Sequence, residues 1–145
     1  MQAGLAGRQK GAAAIEFVAV FMVFFAVFYG LVSYALPMLM LQSFNQASSE
    51  AVRRCVALDP ATANFQAQAQ TLARQVVAQQ LAWMPKSLAF QANDTPVSLL
   101  DDLLTVTITY PKQRLTAVVP VLVLPVIGEV PRLPAQLKAQ ASLQL

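Results

Sequence analysis

Residues 8–41 read RQKGAAAIEFVAVFMVFFAVFYGLVSYALPMLML, and from Phe17 to Leu41 no residue carries a charge. Built as a helix, the charge-free run is roughly 37 Å long, against a bilayer hydrocarbon core about 30 Å thick. A core helix of a small domain would show a polar stripe, and this stretch is apolar on every face. It reads as a membrane-spanning helix, placed at residues 12–41. Gly30 and Pro37 interrupt the run; both are tolerated in lipid, where neighbouring groups can satisfy the freed backbone. Pro37 predicts a kink or a loosened turn near the outer end. Ser33-Tyr34-Ala35 offers a small-x-small site, but a cleaved secretory signal has an apolar region of only about 7–15 residues, and this one is longer.

The flanks orient the span. Arg8 and Lys10 precede it with no acid among them, and positive residues stay on the cytoplasmic side. The N-terminus is therefore expected inside and the bulk of the chain outside, although Arg53 and Arg54 further on weaken the asymmetry. Composition agrees with a membrane segment: 57% of the residues are hydrophobic and 12% charged, where soluble domains carry about 25% charged residues. The net charge of +3 is spread over scattered Lys and Arg, so no nucleic-acid footprint is present. The sequence has no histidine and a single cysteine, Cys55. The commonest general base and the commonest metal ligand are missing, and neither an intrachain disulfide nor a cysteine-based zinc site can form. No enzyme activity, catalytic residue, small-molecule substrate, cofactor or metal is expected.

Inside the stretch one constellation stands out. A short basic leader ends at Gly11; Ala12-Ala13-Ala14-Ile15 opens the apolar run; Glu16 is the fifth residue after Gly11, and Phe17 follows it. A carboxylate within an apolar helix costs of order 2.5–3.5 kcal/mol at the helix centre and less near its end, so such residues usually have a partner. A new amino terminus at Ala12 would supply one. In a bland reading Glu16 lies half-solvated at the interface and Gly11 is loop.

These residues resemble the type IV prepilin family: basic leader, Gly before the cut, Glu five residues after it, and an apolar helix onward. The resemblance implies that a prepilin peptidase cuts between Gly11 and Ala12, removing a leader of residues 1–11 that contains Arg8 and Lys10, and exposing Ala12 to N-methylation. It also implies that Glu16, with Phe17 beside it, sets subunit register by pairing with a neighbour's amino terminus. Within that superfamily the chain is most similar to TadE-like minor pseudopilins of the tight-adherence (Tad/Flp) pilus system. GAAAIEF and the span carry the likeness, followed by an Ala-rich, Arg-containing helix (Ala47 to Val56), the strand LTVTITY and a Pro-rich apolar loop. Major Flp pilins are much shorter, and the C-terminal cysteine pair of classical type IV pilins is absent. The implied place is the bacterial inner membrane, single-pass, with a periplasmic module that can enter an extracellular pilus used in adherence and biofilm formation. The implied partners are the peptidase, other pilins or pseudopilins and membrane lipid. The alternative is an uncleaved single-span envelope protein acting as a binding or scaffold module.

Residues 42–145 are expected to form an α+β module. The span continues as a helix over about 42–58, with Phe44, Ala47, Ala51, Cys55 and Leu58 on one face. Asp59-Pro60 reads as an N-cap followed by Pro at the first helical position, opening a second amphipathic helix at about 60–84 with Phe65, Ala69, Leu72, Val76 and Trp83 on its apolar face. The stripes read as core, or alternatively as subunit packing in a fibre. Arg53, Arg54 and Arg74 read as a solvated face. Beyond Pro85 the period changes to two: residues 103–110 and 136–145 predict strands of a small antiparallel sheet, with a short third strand near Leu88 to Gln91. The run AVVPVLVLPVI (117–127) is too short to span a membrane, and Pro120 and Pro125 exclude a regular helix. Either it covers the core, the favoured reading, or it is exposed and offers Val119, Pro120, Val121, Leu122 and Pro125 to a partner. Cys55 reads as a buried apolar residue, with an intermolecular disulfide as the other option.

Overall fold

The computed structural model describes residues 6–145, with side chains from Gly11 onward. One continuous helix, α1 (Ala6–Val56), includes Pro37 in its interior. The pyrrolidine ring removes one helical N–H, and at this turn the Ser33 hydroxyl donates to the Tyr29 carbonyl. The inner part of α1 is bare: its most apolar stretch has no buried residue. From Ser33 outward one face is buried at helical spacing, through Ser33, Pro37, Met40, Phe44, Ala47, Ala51 and Cys55. The single rod thus carries two solvents' worth of pattern, apolar all round below and striped above.

The chain then turns back. Asp59 Oδ1 accepts a hydrogen bond from the Ala61 N–H at 2.9 Å, so Asp59 closes a local turn and does not cap a helix starting at Pro60. The second helix, α2, is Phe65–Gln80, shorter at both ends than the 60–84 expected. Asn64 precedes it in a left-handed conformation, φ 65°, which Asn tolerates better than most residues. Phe65, Ala69, Ala73, Val76 and Val77 are its buried residues, Leu72 is half-buried, and Trp83 lies beyond the helix, 42% exposed. The tight 0%-exposed alanines Ala47, Ala51, Ala69 and Ala73 let α1 and α2 approach closely.

The sheet has the order β1-β2-β5, all antiparallel: β1 (Val97–Leu100), β2 (Leu103–Pro111) and β5 (Gln136–Gln144). Strands β2 and β5 run where the two-residue alternation places them. The third strand is β1, not the segment near Leu88 to Gln91, where Lys86–Leu88 is a 3₁₀ turn. The register pairs Ile108 with Ala139 and Tyr110 with Leu137. Leu104, Val106, Ile108 and Tyr110 face inward and are buried, while the intervening threonines are only partly covered. Phe44 of α1 sits at the centre, its ring 5.9 Å from Phe90 and 6.0 Å from Tyr110. A short helix α3 (Lys112–Thr116) follows β2, and a separate hairpin pairs β3 (Leu122–Leu124) with β4 (Gly128–Val130).

Several polar groups at the core's rim are matched, while Arg74 Nε and Thr95 Oγ1 are buried without a hydrogen-bond partner among the described residues. Tyr110 donates to the Leu88 carbonyl at 2.6 Å. Arg114 makes a two-pronged bond to Asp94 and lies 5.8 Å from the Tyr110 ring centre, the fork geometry that suits a guanidinium. Arg53 and Arg54 pair with Glu50 on the exposed side of α1, whereas Arg74 is half-buried.

Cys55 is wholly buried and unpaired, and its thiol donates to the Ala69 carbonyl at 3.3 Å. Burial pushes the Cys55 thiol and the Tyr110 phenol above their ordinary values; for Tyr110 the Arg114 charge opposes and Asp94 adds. Both groups fold in their neutral forms. Their contribution to stability is complete below the unfolded values, about 8.5 for Cys and about 10 for Tyr, and is lost as pH rises through the higher folded values. Thermal melts in detergent should therefore give a constant midpoint from about pH 6 to 8 and a falling one above about pH 9. A flat midpoint through the alkaline range would contradict this.

Candidate functional site: the amino-terminal helix and the loop laid against it

Gly11, Ala12, Glu16 and Phe17 all lie on α1 and are exposed. The Arg8 and Lys10 side chains lie outside the described residues. No neighbour stands within 4 Å of where a Cβ on Gly11 would be. The fold makes no demand for glycine there, and inside a helix glycine costs about 1 kcal/mol relative to alanine. Glu16 has no ion-pair partner among the described residues. A ladder of rings begins at Phe17: Phe17 and Phe21 stack at 6.1 Å, Phe21 and Phe25 at 6.3 Å, and Phe25 and Tyr29 at 6.4 Å. Phe17, at the start of this i,i+4 stripe, is 68% exposed.

Beyond Phe21 the stripe meets the C-terminal part. The 117–127 run is not a cover for the core: only Val119 packs against it. Val121 is half-buried, and Pro120, Leu122 and Pro125 are exposed. Leu122 and Pro125 instead border, with Leu124 and the α1 residues Phe21, Phe25 and Tyr29, an apolar groove of about 570 Å³. Two tyrosine hydroxyls tie the loop to α1. Tyr29 donates to the Pro120 carbonyl, and Tyr34 accepts from the Arg132 N–H at 2.7 Å. Sequence reasoning missed both tyrosines as positioning residues. Their signal was modest: amphipathic rings near the outer end of a span, where one end stays apolar and the other finds a polar partner.

The arrangement suits insertion and packing of a helix in a membrane. No convergent set of titratable groups surrounds Gly11–Phe17 among the described residues.

A family model for TadE-like proteins matches residues 11–53, under a third of the chain. No curated protein and no solved structure matches it. The matched segment starts at Gly11, includes Glu16 and the whole bare part of α1, and ends among the buried positions of the module. Over this segment the chain is similar to TadE-like proteins.

Proposed function

We propose that the chain is a minor pseudopilin: it is inserted in the inner membrane with its N-terminus cytoplasmic, cut between Gly11 and Ala12 by a prepilin peptidase, and taken into a Tad/Flp-type pilus that serves adherence and biofilm formation. Glu16 carries the reading. It is an exposed carboxylate on an apolar helix, without an ion-pair partner among the described residues, at the spacing where a newly made Ala12 amino terminus on a neighbouring subunit could meet it. An ammonium and a carboxylate that are both poorly solvated attract strongly, and a wrong register leaves a charge unpaired in lipid. Glu16 thus selects register, with Phe17 and the ring ladder after it providing apolar packing between helices. The module from Ser33 outward makes the contacts with other pilins or pseudopilins. The absence of histidine and the burial of the single cysteine support a role without chemistry of its own.

Intact mass of the membrane-extracted protein, with and without a co-expressed prepilin peptidase, tests this directly. The expected outcome is a peptidase-dependent loss of Met1 to Gly11. A full-length chain in both samples, with the peptidase active on another substrate, would leave an uncleaved envelope anchor.

A further inference from the structure

The β3–β4 hairpin descends along α1 toward its N-terminus. Its base is held at Tyr29 and Tyr34, and its far end, Leu124 and Pro125, borders the groove with Phe21 and Phe25. The part of α1 with no buried residue, Gly11 to Val32, is roughly 33 Å long, about what a hydrocarbon core of about 30 Å requires. From Gly11 to Phe21 the helix rises only about 15 Å, half of that thickness. The helix has no spare length with which to hold the hairpin clear of the lipid. Sliding the span toward the N-terminus would draw Lys10 and Arg8 of the uncut chain into hydrocarbon, at roughly 2.5–3.5 kcal/mol each on insertion scales, and after a cut at Gly11 it would draw in the Ala12 ammonium and Glu16 instead.

The composition of the hairpin matches that position. No charge lies between Arg114 and Glu129. At the tip Val126 is fully exposed and Ile127 is 60% exposed. Val126 also holds φ 76°, a conformation that a β-branched residue rarely adopts. A turn selected for water would carry Gly or Asn there. Two charges flank the tip: Glu129, in the middle of β4, pairs with Lys112 of α3 at 3.4 Å, and the Arg132 guanidinium reaches the Ile127 carbonyl at 3.0 Å, a charge that a long arginine side chain can hold at headgroup level. Such a bond satisfies one backbone acceptor that lipid would not.

We propose that this hairpin is a membrane-inserted wedge: residues 124–127 enter the leaflet on the module's side, and phospholipid acyl chains fill the groove between hairpin and α1. The inference rests on the reading of α1 as a membrane span. The apolar surfaces of hairpin and helix are continuous, so one lipid phase covers both. The wedge sets how deep the module sits, and its two tyrosine bonds fix the angle between module and span.

The test uses the full chain in phosphatidylcholine–phosphatidylglycerol vesicles, in a Cys55→Ala background. Single cysteines at Val126→Cys, Ile127→Cys, Phe24→Cys or Gln79→Cys carry an environment-sensitive fluorophore. Quenchers are lipids spin-labelled at acyl carbon 5 or 12, and iodide in the water. The labels at 126 and 127 should be quenched by the carbon-5 lipid several-fold more than the label at 79, and by iodide several-fold less. The label at 24 should be lipid-quenched and iodide-shielded. Lipid quenching at 24 with iodide access at 126 and 127 would overturn the wedge and leave the span. Iodide access at 24 would overturn the span itself. Shielding of 126 and 127 from both quenchers would mean that a second copy of the chain covers the hairpin, and would also overturn the wedge.

Discussion

Glu16→Ala is expected to leave the chain inserted in the membrane and to abolish its incorporation into pili. Removing the carboxylate relieves an insertion cost of up to about 2.5–3.5 kcal/mol, smaller this near the helix end, so the amount in the membrane fraction should stay level or rise. Glu16 is exposed and has no ion-pair partner among the described residues, so the fold of the module should not change. What disappears is the one charge that penalises a wrong register between apolar helices, where packing alone is weakly selective. Sheared pili should contain none of the variant, while peptidase cleavage of its leader continues. Glu16→Gln, similar in shape but uncharged, should behave like the alanine variant. Normal incorporation of either would remove Glu16 from register setting, while leaving the chain a pilus component.

Phe44→Ala should cost about 3–5 kcal/mol, the range for removing a large buried ring. Phe44 is fully buried and touches both Phe90 from the loop and Tyr110 from β2, so its loss opens the junction of α1 with the sheet. Stabilities of such modules are about 5–15 kcal/mol in total, which makes this a large fraction. Denaturant melts of the detergent-solubilised protein should show a markedly lower midpoint, with protease cuts appearing at 57–64 and 117–135. The membrane part of α1 should survive, because its backbone bonds are internal and lipid offers no alternative partner. Phe28→Ala, in the bare part of the helix and 53% exposed, should change the module's stability by less than about 0.5 kcal/mol. Equal effects at the two sites would contradict the division of α1 into a lipid-facing part and a core-facing part.

That division shows where local pattern stops being informative. The absence of charge from Phe17 to Leu41 marks a helix removed from water. It does not distinguish removal into lipid from removal into protein, because both exclude the same side chains. One face of residues 33–41 belongs to the second class: Ser33, Pro37 and Met40 are buried by the module, while Met38 and Leu39 stay exposed, a fact that depends on strands a hundred residues away. Likewise Asp59-Pro60 has the chemistry of a helix start, yet Asp59 spends its carboxylate on the Ala61 N–H and α2 begins at Phe65. The choice between two local hydrogen bonds was made by where Phe65 and Ala69 could dock on α1. Strand β1 has only four residues, too few for a period to declare itself, and it exists because β2 offers it a ladder.

The sequence by itself determined that one helix leaves water, that Gly11 and Glu16 stand at their prepilin-like spacing, and that 103–110 and 136–145 alternate as half-buried strands. These are properties of charge, side-chain volume and period, readable residue by residue. Only the tertiary structure decided how much of the apolar helix the module takes for its own core, and that the 117–127 run lies along the span instead of over the core. Both outcomes turn on long-range contacts, Tyr29 with Pro120 and Tyr34 with Arg132, and an apolar run carries no mark of which of two apolar surfaces will be within its reach.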